Sequence, residues 1–261
     1  MDRKLVYGSA AVIIVIVLIV SIVFVVPMFE KPKKELVLAT YEKASSTDLL
    51  NNSQNHIYFI SWIGCPVGAD NSWVLYSLLN QTTNGNASKD VILHESIAHT
   101  PGLLFLKGSS YDNLMENISF TCAGVPFLFT SIYMYNQTLK GTVYNQSIGS
   151  NSSDKINAGL AVLKSNLPAS VYNLAKEYQT VIPEKNQTKS IAELSGHLVT
   201  MVILTGPDGT YVHFWFMYPS FGSTVSPLTV FQQYRTYDGG IIINAESPLL
   251  KALGGANVAC A

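Results

Sequence analysis

The residues best suited to chemistry in this chain lie around Cys65. A run rich in aromatic and β-branched residues, Ile57–Ile63, ends at Gly64, and Pro66 directly follows the cysteine. Proline fits the first turn of a helix, where its missing N–H would have no partner, so a helix is predicted over Val67–Leu79. A thiol at a helix N-terminus meets free backbone N–H groups and the positive end of the helix dipole. The pattern therefore predicts a lowered pKa and a reactive thiolate at Cys65.

A second interpretation is that Cys65 is bonded or inert. The position where two-cysteine oxidoreductases carry the partner thiol is occupied by Gly68. Without that thiol a mixed disulfide cannot be resolved locally, so an enzyme would need an external thiol or a distant cysteine. The candidate activity is single-cysteine thiol–disulfide chemistry on surface proteins. The competing hypotheses are a redox-inactive peptide- or protein-binding module and a glycosylated structural component of the cell envelope.

The strand–cysteine–helix corner resembles the active site of thioredoxin-like proteins. The segment Gly64–Ala69, with Ser72–Trp73 and Tyr76, is also similar to an uncharacterised archaeal family of membrane-anchored proteins. This resemblance implies an α/β fold of the thioredoxin-like kind, with a mixed sheet, flanking helices and a helical insertion, and it implies little about function. Further matches to the same family lie at Thr100–Phe105 and Tyr133–Asn136.

The same resemblance implies a role for Pro126. Thioredoxin-like folds place a cis-proline beside the active cysteine, and Gly124-Val125-Pro126 before a strand resembles that position. An ordinary trans proline at a strand start is the alternative, since only about 5–6% of X–Pro bonds are cis. The hairpin predicted within residues 197–218 is a rival for the strand pair that follows such a proline, but no proline precedes it.

Composition argues against several other classes of function. The net charge is −1 and charged residues make up 13% of the chain, so no basic surface for nucleic acid is expected. The chain lacks a P-loop, a dinucleotide fingerprint and a Gly-x-Ser-x-Gly elbow, so no cofactor is expected. No metal site is expected, because the histidines lack zinc-ligand spacing and His94–Glu95 is a weak pair. The histidines are His56, His94, His99, His197 and His213.

The N-terminal segment predicts a membrane anchor. No charged residue occurs in Leu5–Phe29, and Leu5–Val26 is long and apolar enough to cross the lipid bilayer as a helix. A cleaved signal peptide fits less well, because the apolar run exceeds a usual h-region and no small-x-small cleavage site follows it. The expected segments are a cytoplasmic tail over 1–4, an anchor over 5–27, a connector over 28–55 and an extracytoplasmic domain over 56–261.

Eight Asn-x-Ser/Thr sequons favour an orientation with the large domain outside the cytoplasm, as a glycoprotein of the cell membrane. About three would arise by chance from the composition, although clustering of asparagine and serine in loops also produces sequons. Lysine and arginine are nearly balanced across the anchor, so charge does not set its orientation. The candidate glycosylation sites are Asn51, Asn80, Asn86, Asn117, Asn136, Asn145, Asn151 and Asn186.

Three cysteines, Cys65, Cys122 and Cys260, are too few for a disulfide scaffold and leave three pairings open. A Cys122–Cys260 bridge is favoured, because it would tie down a chain end and leave Cys65 free. A Cys65–Cys260 bridge would instead supply the distant resolving cysteine.

The order of the other predicted strands and helices indicates that the Cys65 segment belongs to a single α/β domain. Its elements are predicted from hydrophobic periodicity and from glycine and proline positions. They are a connector helix near Glu35–Leu50, strands within Ile118–Tyr135, a helix over Ile156–Tyr178 that breaks near Pro168, a hairpin around Gly206–Gly209, an aromatic core strand at His213–Tyr218, a strand at Ile241–Ile243 and a helix from Ser247–Pro248.

Overall fold

The computed structural model describes residues 34–52, 54–82, 86–106, 115–122, 125–218, 220 and 224–252. The predicted anchor and Cys260 lie outside these ranges. Within them, no helix is long and apolar enough to cross a membrane. The compact unit that holds the sheet starts at Leu36.

The described strands form a six-stranded mixed sheet and a separate two-stranded sheet. They are β1 (Tyr41–Ser45), β2 (Asn55–Ser61), β3 (Val91–Glu95), β4 (Pro101–Phe105), β5 (Met115–Cys122), β6 (Val125–Tyr133), β7 (Met201–Gly206) and β8 (Gly209–Phe214). The spatial order of the large sheet is β1-β8-β7-β2-β6-β5, and β3 pairs with β4 in the small one. The inner strand β2 is parallel to β6 and antiparallel to β7.

Helices cover both faces of the large sheet. They are α1 (Pro66–Thr82), α2 (Ser152–Asn166), α3 (Ala169–Thr180), α4 (Ile191–Ser195), α5 (Pro227–Gln233) and α6 (Ile241–Ala252), with 3₁₀ turns at Asn86–Lys89 and Tyr237–Gly240. Along the chain, α2, α3 and α4 lie between β6 and β7.

The residues of β2 show why the sheet is covered twice. All seven are buried. Ile57 and Phe59 pack with α1, β4 and α6, whereas Tyr58 and Ile60 pack with α2, α3 and α4 on the other face. Alternate side chains of a strand point to opposite faces, so a strand between two helical layers is apolar on both. Burying one such side chain contributes about 1.5–3 kcal/mol, which makes β2 a stable support for the turn that follows it.

The elements predicted around the cysteine are confirmed. β2 and α1 flank Cys65, the hairpin of β7 and β8 turns at Pro207–Asp208, and the long helix is interrupted at Pro168. Proline cannot donate the backbone hydrogen bond that a continuous helix needs, so α2 ends before Pro168 and α3 starts after it.

Two predictions were wrong. The connector forms a strand rather than a helix near Glu35–Leu50, because β1 pairs antiparallel with the edge of β8. Ile241–Ile243 is the first turn of α6, not a strand, and Pro248 lies inside that helix rather than at its start. The buried apolar residues of α6 recur at helical spacing, which holds the helix on the sheet despite the proline; they are Ile242, Ala245, Leu249 and Ala252.

Candidate functional site

Cys65 occupies the turn between β2 and α1. Its N–H donates to the Trp62 carbonyl at 3.1 Å, and its own carbonyl accepts from Ala69 N–H at 2.9 Å. Pro66 is the first residue of α1, so Cys65 stands where a helix-capping residue stands. The thiol is free, and the residue is only 5% exposed.

Two glycines shape this turn by close packing. A Cβ at Gly64 would collide with the Gln137 carbonyl, and a Cβ at Gly68 would collide with Ser61 Oγ and lie 3.2 Å from Thr200 Oγ1. A second cysteine at Gly68 would therefore require the Ser61 side chain to move.

Hydrogen-bond donors surround the sulfur of Cys65. The Thr200 hydroxyl donates to Sγ at 3.0 Å and lies 2.8 Å from Ser61 Oγ. Burial raises the pKa of the Cys65 thiol, while hydrogen bonds from Thr200 and from the backbone of Gly68 and Val67 act to lower it. Burial has the larger effect, so the lowered pKa predicted from the helix start is wrong in sign for the resting protein.

Pro126 is not the neighbour of Cys65. The register of the parallel pair sets Asn55 of β2 opposite Phe127, so Pro126 lies at the start of β2 and Cys65 beyond its other end. At about 3.3 Å per residue the two are separated by roughly a full strand length. The bond before Pro126 is trans, since the described residues contain no cis peptide bond. The predicted cis-proline role is therefore wrong.

Thr200, and not Pro126, lies beside the sulfur of Cys65. It directly precedes β7, the antiparallel neighbour of β2, and its side chain is buried against the sulfur. The hairpin of β7 and β8 was the rival location in the sequence. Sequence reasoning missed Thr200, because a threonine before a strand carries no signal of its own.

A pocket of about 190 Å³ opens beside Cys65. Its walls are mostly apolar, with three polar residues among them. The apolar walls are Trp62, Pro66, Val67, Ile191, Val199 and Trp215, and the polar residues are Ser195, His197 and Thr200. The volume suits a single side chain or a small group next to a sulfur atom rather than a large cofactor.

Trp215 stands at the rim of this pocket in an unusual backbone conformation. Its φ is +80°, in the left-handed region, and its side chain is 48% exposed. Asn71 of α1 holds the segment, because its Nδ2 donates to the Trp215 carbonyl and its Oδ1 accepts from Met217 N–H, both at 2.9 Å. The aromatic strand predicted at His213–Tyr218 thus ends at Phe214, and Trp215 leaves the core. Such strained residues are often found at functional sites.

A comparison with known protein families covers most of the fold described above. A family model described as a domain of unknown function (DUF929) matches residues 40–253, which run from the start of β1 to the end of α6. The chain belongs to that family. The expectation of an uncharacterised family is confirmed at this level. No curated protein and no solved structure matches the chain.

Two of the histidines lie near the cysteine turn. The Nδ1–H of His197 donates to the Leu198 carbonyl at 2.8 Å, and its ring meets Trp62 edge-on with centroids 5.5 Å apart. His94 of β3 lies outside the pocket, where its Nε2 contacts the Ile63 carbonyl at 2.7 Å. Burial lowers the pKa of both imidazoles, so both are neutral at pH 7.

The sequons differ in exposure. Asn51, Asn117, Asn145, Asn151 and Asn186 are exposed. Asn80 is half-buried, and its Nδ2 donates to the Tyr234 hydroxyl at 2.9 Å, while the half-buried Asn136 accepts from Thr138 N–H. The side chains of Asn86 and Cys122 lie outside the described set, as does Cys260, so the predicted Cys122–Cys260 bridge stays a prediction.

Proposed function

We propose that this protein is a membrane-anchored, extracytoplasmic thioredoxin-like protein whose Cys65 exchanges disulfides with surface proteins. The observation that carries this proposal is the set of donors around Sγ. The Thr200 hydroxyl and the first backbone N–H groups of α1 converge on a free thiol beside a small pocket. Donors of this kind stabilise a negative sulfur, the form that reacts.

The topology supports the thioredoxin-like part of the proposal. Four strands in the order β8-β7-β2-β6, with β2 parallel to β6 and antiparallel to β7, form the core of that fold. On this proposal, the cysteine between β2 and α1 and the residue before β7 correspond to the active-site positions of that fold. On this basis, β3, β4 and β5 are an insertion between α1 and β6, and β1 is an added edge strand.

The proposed reaction is an exchange that needs no external oxidant. The Cys65 thiolate attacks one sulfur of a substrate disulfide, a new S–S bond forms, and the other substrate sulfur leaves as a thiolate. A second thiol, from the substrate or another protein, then attacks the substrate sulfur of the mixed disulfide and releases Cys65. Because position 68 holds glycine and not a resolving cysteine, the second thiol comes from outside the turn.

A redox-inactive binding module is the second candidate, and one observation favours it. Cys65 is only 5% exposed and burial raises the pKa of its thiol, which keeps the sulfur neutral and covered in the resting protein. In that case the half-exposed Trp215 and the apolar walls of the pocket would hold a side chain of a partner.

The Thr200 hydroxyl separates the two candidates. In the folded full-length chain, exchange of Cys65 with glutathione disulfide is followed by the mass added at that residue. Thr200→Val keeps the shape and removes the donor, and it should slow the exchange about tenfold, since a hydrogen bond to a charged group is worth about 1.5–3 kcal/mol. Thr200→Ser keeps the donor and serves as the control. A thiol that reacts only after unfolding would leave the binding module as the function.

Membrane location is tested separately. Protease added to intact cells should remove the domain after about residue 34 and leave the N-terminal tail protected, as the apolar segment and the sequons predict. Full protection of the domain would overturn the extracytoplasmic assignment.

A further inference from the structure

The pocket beside Cys65 is lined by two residues whose ordinary pKa values lie between about 6 and 9, the cysteine itself and His197. The other eight residues that line it are tryptophan, proline, valine, isoleucine, serine and threonine, which do not titrate in that range. Disulfide exchange at Cys65 has to remove a proton from the sulfur before attack and return one to the sulfur that leaves.

The immediate neighbours of the sulfur cannot take that proton. The Thr200 hydroxyl donates to Sγ at 3.0 Å, and Val67 and Gly68 offer backbone N–H groups. Ser61 also acts as a donor, next to Thr200. These groups stabilise a thiolate once it has formed, but none of them is a base. The proton acceptor has to be sought across the pocket.

His197 lines the same pocket as Cys65 and has one ring nitrogen free of hydrogen. Its Nδ1 carries the hydrogen, because it faces the Leu198 carbonyl, and in this tautomer Nε2 is left with a lone pair. The ring is held edge-on by Trp62 at 5.5 Å and by Tyr135 at 6.2 Å. The Tyr135 hydroxyl is engaged by the backbone of Lys155 and Leu198, so it does not compete for the proton. Lys155 is the charged group whose field reaches the ring.

We propose that His197 is the acid–base residue of the Cys65 site. Its Nε2 accepts the thiol proton as the sulfur attacks a substrate disulfide and returns that proton to the departing thiolate. One S–S bond breaks, one forms, and no electrons enter from outside. This inference rests on the exchange function proposed above.

The test compares His197→Gln with His94→Gln in the full-length chain. His94 is the matched control, because it is also half-buried near the cysteine turn but lies outside the pocket. Exchange of Cys65 with glutathione disulfide is measured from pH 5 to 10. His197→Gln should be slower by about a hundredfold near pH 7 and equal to wild type in alkali, where hydroxide removes the proton. His94→Gln should follow wild type. A wild-type pH profile in a folded His197→Gln protein would overturn the proposal.

If His197→Gln does not fold, a second measurement tests the proposal without that variant. The difference in absorbance at 240 nm between wild type and Cys65→Ser reports the thiolate as pH rises. The thiolate should form only above the ordinary cysteine range, because burial raises the pKa of Cys65. The exchange rate of the wild type should nevertheless already rise in the histidine range, where His197 loses its proton. An exchange rate that rises only with the thiolate absorbance would contradict the role of His197. A wild-type Cys65 that never reacts while folded would overturn the exchange function itself, whereas a reactive Cys65 that is indifferent to His197 would overturn only this inference.

Discussion

The two ends of β2 use polar groups in opposite ways. At the end that leads into α1, donors from Thr200 and the helix converge on one sulfur, and a pocket of about 190 Å³ lies beside it. At the other end, Asp48 accepts hydrogen bonds from Leu50 N–H, Asn52 N–H and the Thr205 hydroxyl at 2.9–3.1 Å.

The difference lies in what the polar groups face. Around Asp48 the polar groups face one another. Their hydrogen bonds join the segment before β2 to Thr205 of β7. Around Cys65 they face an atom that can form a new bond and a space into which a ligand can enter. We infer that the Asp48 end contributes stability and that the Cys65 end contributes reactivity, although both are built from hydroxyl and backbone donors.

The largest expected loss of stability comes from introducing a second thiol next to Cys65, at position 68. Gly68→Cys should lower the free energy of unfolding by about 3 kcal/mol, because its Cβ would require the Ser61 side chain to move. Urea denaturation measures the loss. Adding Ser61→Ala removes the clashing Oγ and should restore part of the stability. A Gly68→Cys protein of normal stability, with a disulfide between Cys65 and the introduced cysteine, would show that packing does not exclude the second thiol.

Removing the Asp48 carboxylate at the other end of β2 should lower the free energy of unfolding slightly less. Asp48→Ala removes the acceptor of three hydrogen bonds and should lower the free energy of unfolding by about 2 kcal/mol while the exchange rate of Cys65 stays unchanged. Asp48→Asn keeps one side-chain oxygen as acceptor and should lose about half as much. A slower Cys65 in folded Asp48→Ala would mean that the two ends are coupled.

Acid should lower the free energy of unfolding through a buried histidine near each end of β2, His213 and His56, and the two contributions should differ. Burial lowers the pKa of His213, where hydrogen bonds to the backbone of Thr40, Phe216 and Trp215 oppose the shift. Burial also lowers the pKa of His56, where the charge of Asp48 opposes the shift. A lowered pKa gives stability that is present above the unfolded pKa of about 6.5 and is lost as pH falls through the folded value.

Replacing each histidine by phenylalanine tests this difference. His213→Phe should flatten the fall in unfolding free energy below pH 6.5 by up to about 1.4 kcal/mol per pH unit, since one proton fewer is taken up on unfolding. His56→Phe should flatten it less, because a full negative charge, that of Asp48, favours the charged imidazole of His56, whereas only neutral backbone groups favour that of His213. Denaturation series at several pH values supply the slopes, and equal slopes in the two variants would refute the asymmetry.

The corner around Cys65 could be predicted because its signals are local. A buried strand, a glycine, a cysteine and a proline at a helix start follow one another within a dozen residues. The position of Pro126 relative to Cys65 was predicted wrongly, because it depends on the register between β2 and β6. The sequence near the proline does not show that register. Thr200 contacts Cys65, and His197 lines the same pocket, only because β7 pairs with β2 across more than a hundred residues of chain.

The sign of the thiol pKa shift could not be predicted for a similar reason. The helix start is visible in the sequence, but the burial that outweighs it involves residues remote in the chain, among them α4, the segment before β7 and Trp215. The same limit applies to Ile241–Ile243, where an apolar triplet fits a strand or a helix equally well. The packing of α6 against α1 decides between them.

The exposed sequons Asn51, Asn145 and Asn186 share a left-handed backbone, with φ between +51° and +65°. Asparagine tolerates this conformation better than most residues, whereas glutamine does not, so the usual Asn→Gln exchange would add about 1 kcal/mol of strain at each position. A loss of secretion in such variants would then mix a folding defect with the loss of a glycan. Sugar attachment is better mapped by replacing the serine or threonine two positions later, or by Asn→Gly, which fits the turn.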